Sequence, residues 1–493
     1  MGFNETRPRN TRETHEGGRA YPIGAEQELY LTIVTSLMSG DTFYESQGGR
    51  LERVQTLIRA NILQGDSLFV AGLAAYAREQ MYLRTAPTML VAELFARGEN
   101  AMGALAAKRV WQRGDEHLEA LAYFKTMGYK RTKALLRAVA ARLNEMDEFS
   151  FTKYAAGRKA YSQRDAIRVA HPVPTDEKQS ALFKYVVHGW DSLTTEEMAL
   201  LPETAKLKAG GTQTWEQHIS KEGSTKRSWT EAVEKMGYMA LLRNLRNLVQ
   251  ADVDYPVLEA VASKLSSPDL VRRSKQLPFR FLSAFRALPR TAPQILFDAI
   301  SEAANVAVEN VPDLDGETLV LVDCSGSMSG ATLSDKSTVT NSDAARCLGA
   351  ILVRKGSAEL WGFGSDPVRV AAPSRNPVMA TIAGMKGISW KTGHATFIEK
   401  AIRTALNDRF RRVVVLTDMQ SHDNPHVAAA PWLDADKRRK VYIIDMAHFG
   451  LPSFDPRHPG VVMVGGFSEK VFDWMRAMEI EDPVSVIRAY IEA

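Results

Sequence analysis

From about Glu26 to Val308, apolar residues recur at spacings of three and four, as in Leu51-Val54-Leu57-Ile58-Ile62, Leu68 to Tyr82, Leu135-Leu136-Val139-Leu143 and Leu241-Leu242-Leu245-Leu248-Val249. That spacing lines one face of a helix, so the pattern predicts a succession of amphipathic helices of roughly ten to twenty residues. Short connectors separate them, among them Gly65-Asp66-Ser67, Gly114-Asp115, His171-Pro172-Val173-Pro174 and Ser266-Ser267-Pro268-Asp269. Helices joined by such short turns stack as hairpins. The stretch from Gly210 to Ser228 breaks the rhythm with Gly, Ser and Thr around one Trp, and it is predicted as a loop or insertion.

The pattern changes after Asn310. The turn cluster Val311-Pro312-Asp313-Leu314-Asp315-Gly316 leads into Thr318-Leu319-Val320-Leu321-Val322, a continuous apolar run of strand length. Similar runs are Ala358 to Phe363, Arg412 to Thr417 and Lys440 to Asp445, with helix-like segments at 343–354, 396–407 and 471–478. Apolar strands alternating with helices predict a parallel sheet covered on both faces. The domain plan is therefore a polar, flexible segment at 1–25, a helical domain at 26–311 and an α/β, doubly wound domain at 312–493.

Composition narrows the class without changing this plan. Among the 493 residues, 45% are hydrophobic and 24% charged, which excludes whole-chain disorder and collagen-like repeats. Two cysteines, Cys324 and Cys347, are too few for a disulfide framework or a cysteine-rich zinc site. The chain lacks a run of 18 apolar residues, and its first residues lack an apolar signal core, so a cytoplasmic protein with no membrane partner is expected. The start Met1-Gly2-Phe3-Asn4-Glu5-Thr6 fits the short myristoylation pattern and is read as coincidence. The net charge of +4 hides a local excess: residues 101–300 hold 31 basic and 22 acidic side chains. Such a block is either a polyanion-binding surface or an ordinary solvated helical face.

Candidate chemistry sits at the end of the first strand, in Asp323-Cys324-Ser325-Gly326-Ser327. Ligands of parallel sheets bind beyond the carboxyl ends of the strands, and D-x-S-x-S there presents three oxygens from one turn. A carboxylate with hydroxyls suits a hard divalent cation such as Mg²⁺. Thr396, after Lys391-Thr392-Gly393-His394-Ala395, and Asp418, after the strand ending at Thr417, add two more oxygens at similar positions. Two enzyme readings fail on these residues. A haloacid-dehalogenase-like phosphatase needs a carboxylate where Ser325 stands, and a G-x-S-x-G nucleophile elbow needs Ser where Met328 stands.

Together these five positions resemble the metal-ion-dependent adhesion site of von Willebrand factor A domains. The resemblance implies Asp323, Ser325, Ser327, Thr396 and Asp418 as ligands of a divalent metal ion, with a coordination site left for a partner's carboxylate; it implies binding and no enzymatic turnover. In the helical part, the segment from Gln163 to Pro174, the helix from Met239 to Leu248 and the run from Lys275 to Leu282 are similar to the TROVE module of the Ro autoantigen family, bacterial relatives included. This second resemblance implies a ring of HEAT-like helical repeats joined to the A-like domain. It also implies RNA partners: Y RNA or a Y-like RNA on the outer ring surface, and single-stranded 3′ ends of misfolded RNA in the central cavity, a role in RNA quality control. An exoribonuclease partner and a monomeric state complete the expectation.

The positions matching the family's outer surface are Lys153, Arg158 and His171, with Arg164 and Arg168 close by. On the helix at 239–250 the apolar stripe leaves Arg243, Asn244, Arg246 and Asn247 toward another surface, where Arg and Asn can hold phosphates and base edges of a single strand. The competing reading makes the chain a metal-dependent protein-interaction scaffold whose helical array grips a protein.

Overall fold

The computed structural model describes residues 13–14, 16–35, 47–155, 160–209, 214–330, 339–446, 452–465, 470–478 and 483–492. The chain forms two compact units that interleave in sequence. One is built from Met1–Leu51 and Trp215–Glu481, the other from Glu52–Thr214 and Asp482–Ala493. The helical stretch expected as one domain at 26–311 is thus shared between both units, and the last helix leaves the α/β part to join the wholly helical one.

In the helical unit, polar caps set where helices begin. The Asp66 side chain accepts from the Phe69 amide, Thr132 from Leu135 and Asp176 from Gln179, while Ser162 and Asp165 form a reciprocal capping box. Helix Ser67–Glu79 is buried continuously from Phe69 to Arg78. Part of its cover is the C-terminal helix Pro483–Glu492, held by Arg488 on Asp66 (2.6 Å) and by the Tyr490 hydroxyl donating to Glu79 (2.8 Å). Gly72 permits this contact, since a Cβ there would lie 2.1 Å from the Ile487 carbonyl oxygen. Gly72→Ala is therefore expected to destabilise the helical unit by about 1–3 kcal/mol, read as a lower urea midpoint; an unchanged midpoint would show that the last helix contributes no stability.

The other unit combines helices from Trp215–Glu222 to Gln294–Ala307 with a six-stranded sheet. Leu241, Leu245, Leu248, Val261, Phe281, Leu296 and Ile300 form the core of its helical part. The sheet holds β1 (Thr318–Asp323), β2 (Ala358–Phe363), β3 (Val368–Arg369), β4 (Arg412–Thr417), β5 (Lys440–Asp445) and β6 (Val461–Gly465), in the order β3-β2-β1-β4-β5-β6. All neighbours run parallel except the short edge strand β3. β1 and β4 are buried along their whole length, as continuous apolar runs require.

Three expectations change. Apart from residues 210–213, which lie outside the description, the stretch read as a loop is mostly helical: Trp215–Glu222 and Lys226–Lys235 pack through the Trp215 and Trp229 rings, 6.3 Å apart. The N-terminal segment, expected to be flexible, is docked where it is described. Thr14 Oγ1 donates to the Ser421 carbonyl at 2.5 Å, and the Gly18 and Tyr21 amides donate to Ser421 and Pro452. Finally, helices Val378–Thr392 and Pro425–Ala435 and strands β3 and β6 add to the elements expected from the sequence.

Candidate metal centre and nucleic-acid surface

The strand order reverses between β1 and β4, which are adjacent and in register from Thr318 with Arg412 to Val322 with Leu416. One residue further on, Asp323 lies beside Thr417 at the carboxyl ends of both strands, where open α/β sheets take their ligands. The Ser325 amide donates to Asp323 Oδ1 at 2.8 Å, and the Thr417 hydroxyl donates to Oδ2 at 2.6 Å. The Ser325 and Ser327 hydroxyls are 3.2 Å apart. Asp418 follows β4, and Met419 then takes a left-handed backbone (φ 67°), its amide donating to the Thr417 hydroxyl. A non-glycine residue in that conformation carries strain that the surrounding hydrogen bonds must hold.

A third segment brings in Thr396. The Gly326 amide donates to the His394 carbonyl, and the Phe397 amide donates to Gly364. Gly364 allows this closeness, because a Cβ there would fall 2.5 Å from the Gly393 carbonyl oxygen. The His422 amide donates to the Thr396 carbonyl at 2.9 Å, tying this loop to the one after Asp418. Asp323, Ser325, Thr396 and Asp418 are buried and Ser327 is half-buried, all carried by segments that converge at the ends of β1 and β4.

The electrostatics of the site favour a cation. Burial, and then the Asp418 carboxylate, push the Asp323 carboxyl well above the usual range, against hydrogen bonds from Ser325 and Thr417 that pull it down. Two buried carboxylates that repel one another gain from a positive charge, and the remaining donors are hydroxyl oxygens, the set a hard divalent ion prefers. Among the described residues, no group of three or more His, Cys, Asp and Glu side chains is arranged to hold a metal ion. A cation at this site would therefore rely on hydroxyls and water for most of its ligands.

The expected RNA residues fall in two places. Arg164, Arg168 and His171 are exposed along one face of helix Gln163–Ala170, with His171 as its left-handed C-cap (φ 46°). The Lys153 side chain and Arg158 lie outside the described residues. On helix Tyr238–Gln250, Arg243 and Arg246 are exposed and Asn247 is half-buried. Asn244 departs from the expectation. It is 8% exposed, its Nδ2 donates to the Ala240 carbonyl and its Oδ1 accepts from Asn247, because its position falls within the buried stripe that the leucines define.

Ion pairing separates the basic residues further. Lys178, Lys184, Lys206, Lys226, Arg227 and Arg272 each meet a carboxylate within 3.1 Å. Arg164, Arg168, Arg243 and Arg246 pair with no carboxylate among the described residues. So do Lys130, Arg131, Lys133 and Arg137, exposed on and just before helix Lys133–Glu145, which packs on Gln163–Ala170. Four cations in eight residues with no acidic neighbour mark this group in the sequence, although none of the four is among the expected RNA residues.

Comparison with known proteins agrees with this architecture. The TROVE domain family matches residues 203–315, a stretch that includes helix Tyr238–Gln250. RNA-binding protein RO60 of Deinococcus radiodurans is 24% identical over 375 residues, 69% of this chain and 70% of that protein. Telomerase protein component 1 of Rattus norvegicus is 35% identical over 92 residues, which span 18% of this chain and only 4% of that protein. The crystal structure of the Deinococcus radiodurans Ro protein shares the fold, with a TM-score of 0.66 at 21% identity over 92% of this chain and 100% of its own. With the TROVE domain match over residues 203–315, similarity to a bacterial Ro protein along most of its length and the fold of the Deinococcus Ro structure over 92% of the chain, this protein is similar to the Ro proteins in sequence and shares their fold.

Proposed function

We propose that this protein binds noncoding RNA in RNA quality control. A Y RNA or Y-like RNA is held on the face carrying Arg164, Arg168 and His171, and a single-stranded 3′ end of misfolded RNA is held by Arg243 and Arg246. The observation that carries this reading is that these four arginines are exposed and form no ion pair among the described residues, whereas other cations of the basic block, such as Lys184, Lys226, Arg227 and Arg272, are neutralised by carboxylates. An exposed guanidinium that forms no ion pair is available for phosphate, and replacing condensed counterions along RNA supplies affinity with little base preference. The name of the Deinococcus relative, an RNA-binding protein, supports the RNA-binding part of this reading.

The A-like site supplies binding rather than turnover. Asp323 and Asp418, with the hydroxyls of Ser325, Ser327 and Thr396, would hold Mg²⁺, and the ion would supply a Lewis-acidic position for a carboxylate from a protein partner. The chain's own part is to keep the two carboxylates oriented: Thr417 and the Ser325 amide fix Asp323, and the left-handed turn at Met419 sets Asp418 at the end of its strand.

The test compares one RNA with and without an unpaired 3′ tail. Arg243→Glu with Arg246→Glu is expected to weaken the tailed RNA about tenfold at matched salt, and to leave the tail-less RNA within about twofold of the parent. Equal tailed-RNA binding by variant and parent would remove helix Tyr238–Gln250 from the RNA surface.

A further inference from the structure

Helix Val378–Thr392 leads into the loop that carries Thr396, and its two sides differ in kind. Val378, Thr381, Ile382 and Met385 are buried, and Arg346 Nη2 donates to Ser389 Oγ on the anchored side. The opposite side exposes Ala383, Lys386, Gly387 and Trp390, positions three and four apart that share one helical face, with Lys391 beside them.

Trp390 is 77% exposed, the one largely exposed tryptophan among the described side chains. Trp111, Trp229 and Trp432 are buried, the ordinary state of so large an apolar ring. Lys391 Nζ lies 5.2 Å from the Trp390 ring centroid. Neither Lys386 nor Lys391 meets a carboxylate among the described residues. Gly387 sits mid-helix with nothing within 4 Å of where a Cβ would be, so alanine would fit and would favour the helix by roughly 0.5–1 kcal/mol. A face that forgoes that stability, leaves a tryptophan in water and keeps its lysines unpaired is suited to a flat, anionic ligand that approaches the backbone closely.

We propose that this face of helix Val378–Thr392 is a stacking platform for an unpaired RNA base, with Trp390 beneath the base and Lys386 and Lys391 on the flanking phosphates. It rests on the RNA-binding reading above and extends it to the A-like domain, beside the candidate metal centre. Stacking on an indole tolerates any base, since every base has a π-face, and the two lysines add the salt-dependent part. A protein partner is the less favoured occupant, because two unpaired cations beside one aromatic ring complement a polyphosphate strand.

The experiment uses the full chain with two probes, a short oligouridylate and a hairpin RNA without unpaired ends. Trp390→Ala is expected to weaken oligouridylate about tenfold, Trp390→Phe to stay within about twofold of the parent, and hairpin binding to be unchanged. Lys386→Glu with Lys391→Glu is expected to lower the salt slope for oligouridylate by about two. Equal oligouridylate binding by Trp390→Ala and parent overturns the platform while leaving RNA binding intact. Equal losses with phenylalanine and alanine, or equal losses on both probes, overturn stacking as its basis. A parent that binds neither probe overturns the RNA-binding reading itself, and the platform with it.

Discussion

Reversing Arg164 and Arg168 together to glutamate is expected to lower the affinity for a structured Y-like RNA about a hundredfold near physiological salt, and to reduce the slope of log K against log salt by about two. Each side chain is exposed, forms no ion pair among the described residues beyond a weak pull on the Asp165 carboxyl, and lies on the same face as His171. Reversal therefore removes a phosphate contact and adds a repulsion at two points of one footprint. The fold should tolerate it. The helix start depends on the Ser162 and Asp165 capping box, and its packing on buried Gln163 and Ala166. An unchanged melting temperature with a hundredfold loss of binding would separate function from folding, while parental affinity at matched salt would remove this face from the RNA surface. Adding glutamates at Lys130 and Arg131 should deepen the loss if the neighbouring basic group belongs to the same footprint.

The second large effect concerns the carboxylate pair. For chelator-treated parent protein, Mg²⁺ well above its dissociation constant is expected to raise the melting temperature of the α/β-containing unit by roughly 5 °C, since a ligand that binds only the folded state stabilises it by mass action. Asp418→Asn should abolish that rise. In chelator alone the same variant should melt no lower than the parent, because it removes a repulsion between two buried acids. The reversed order with and without metal distinguishes a cation site from a structural carboxylate. A parent-sized Mg²⁺ shift in Asp418→Asn would place the metal elsewhere.

How much of this was legible in the sequence follows from burial. Strands β1, β2, β4 and β5 stood out because a covered parallel sheet makes its strands apolar throughout or nearly so. The two-residue edge strand β3 has no room for a pattern. Helix Pro425–Ala435 contains Pro431, which reads as a breaker, and helix Val378–Thr392 sets glycines and an exposed tryptophan where a polar stripe is expected. The docking of residues 13–24 combines backbone bonds from Gly18 and Tyr21 with side-chain contacts of Thr14, Glu16 and Tyr21, and its partners near Ser421 and Pro452 are so distant in sequence that no local pattern marks them.

The candidate metal residues were legible because D-x-S-x-S and the two later oxygens sit at strand or helix ends, positions that hydrophobic patterning locates well. The proposed RNA face was legible only as an excess of charge. Which cations remain unpaired depends on partners distant in sequence, such as Asp254 for Lys226 and Glu309 for Arg272. Asn244 was misplaced because its polar character was weighed above its helical position.

The interleaving of the two units bears on how the protein is made. Residues 52–214 emerge from the ribosome early, yet the helix that covers Gly72 spans 483–492, and residues 13–24 must wait for the segment near Ser421. At synthesis rates of about 5–20 residues per second, the gap between residues 214 and 483 lasts on the order of 15–50 s. Throughout that interval the apolar side of helix Ser67–Glu79 facing Ile487 is without its cover, so a nascent chain stalled before residue 483 exposes a surface that chaperones and proteases can recognise.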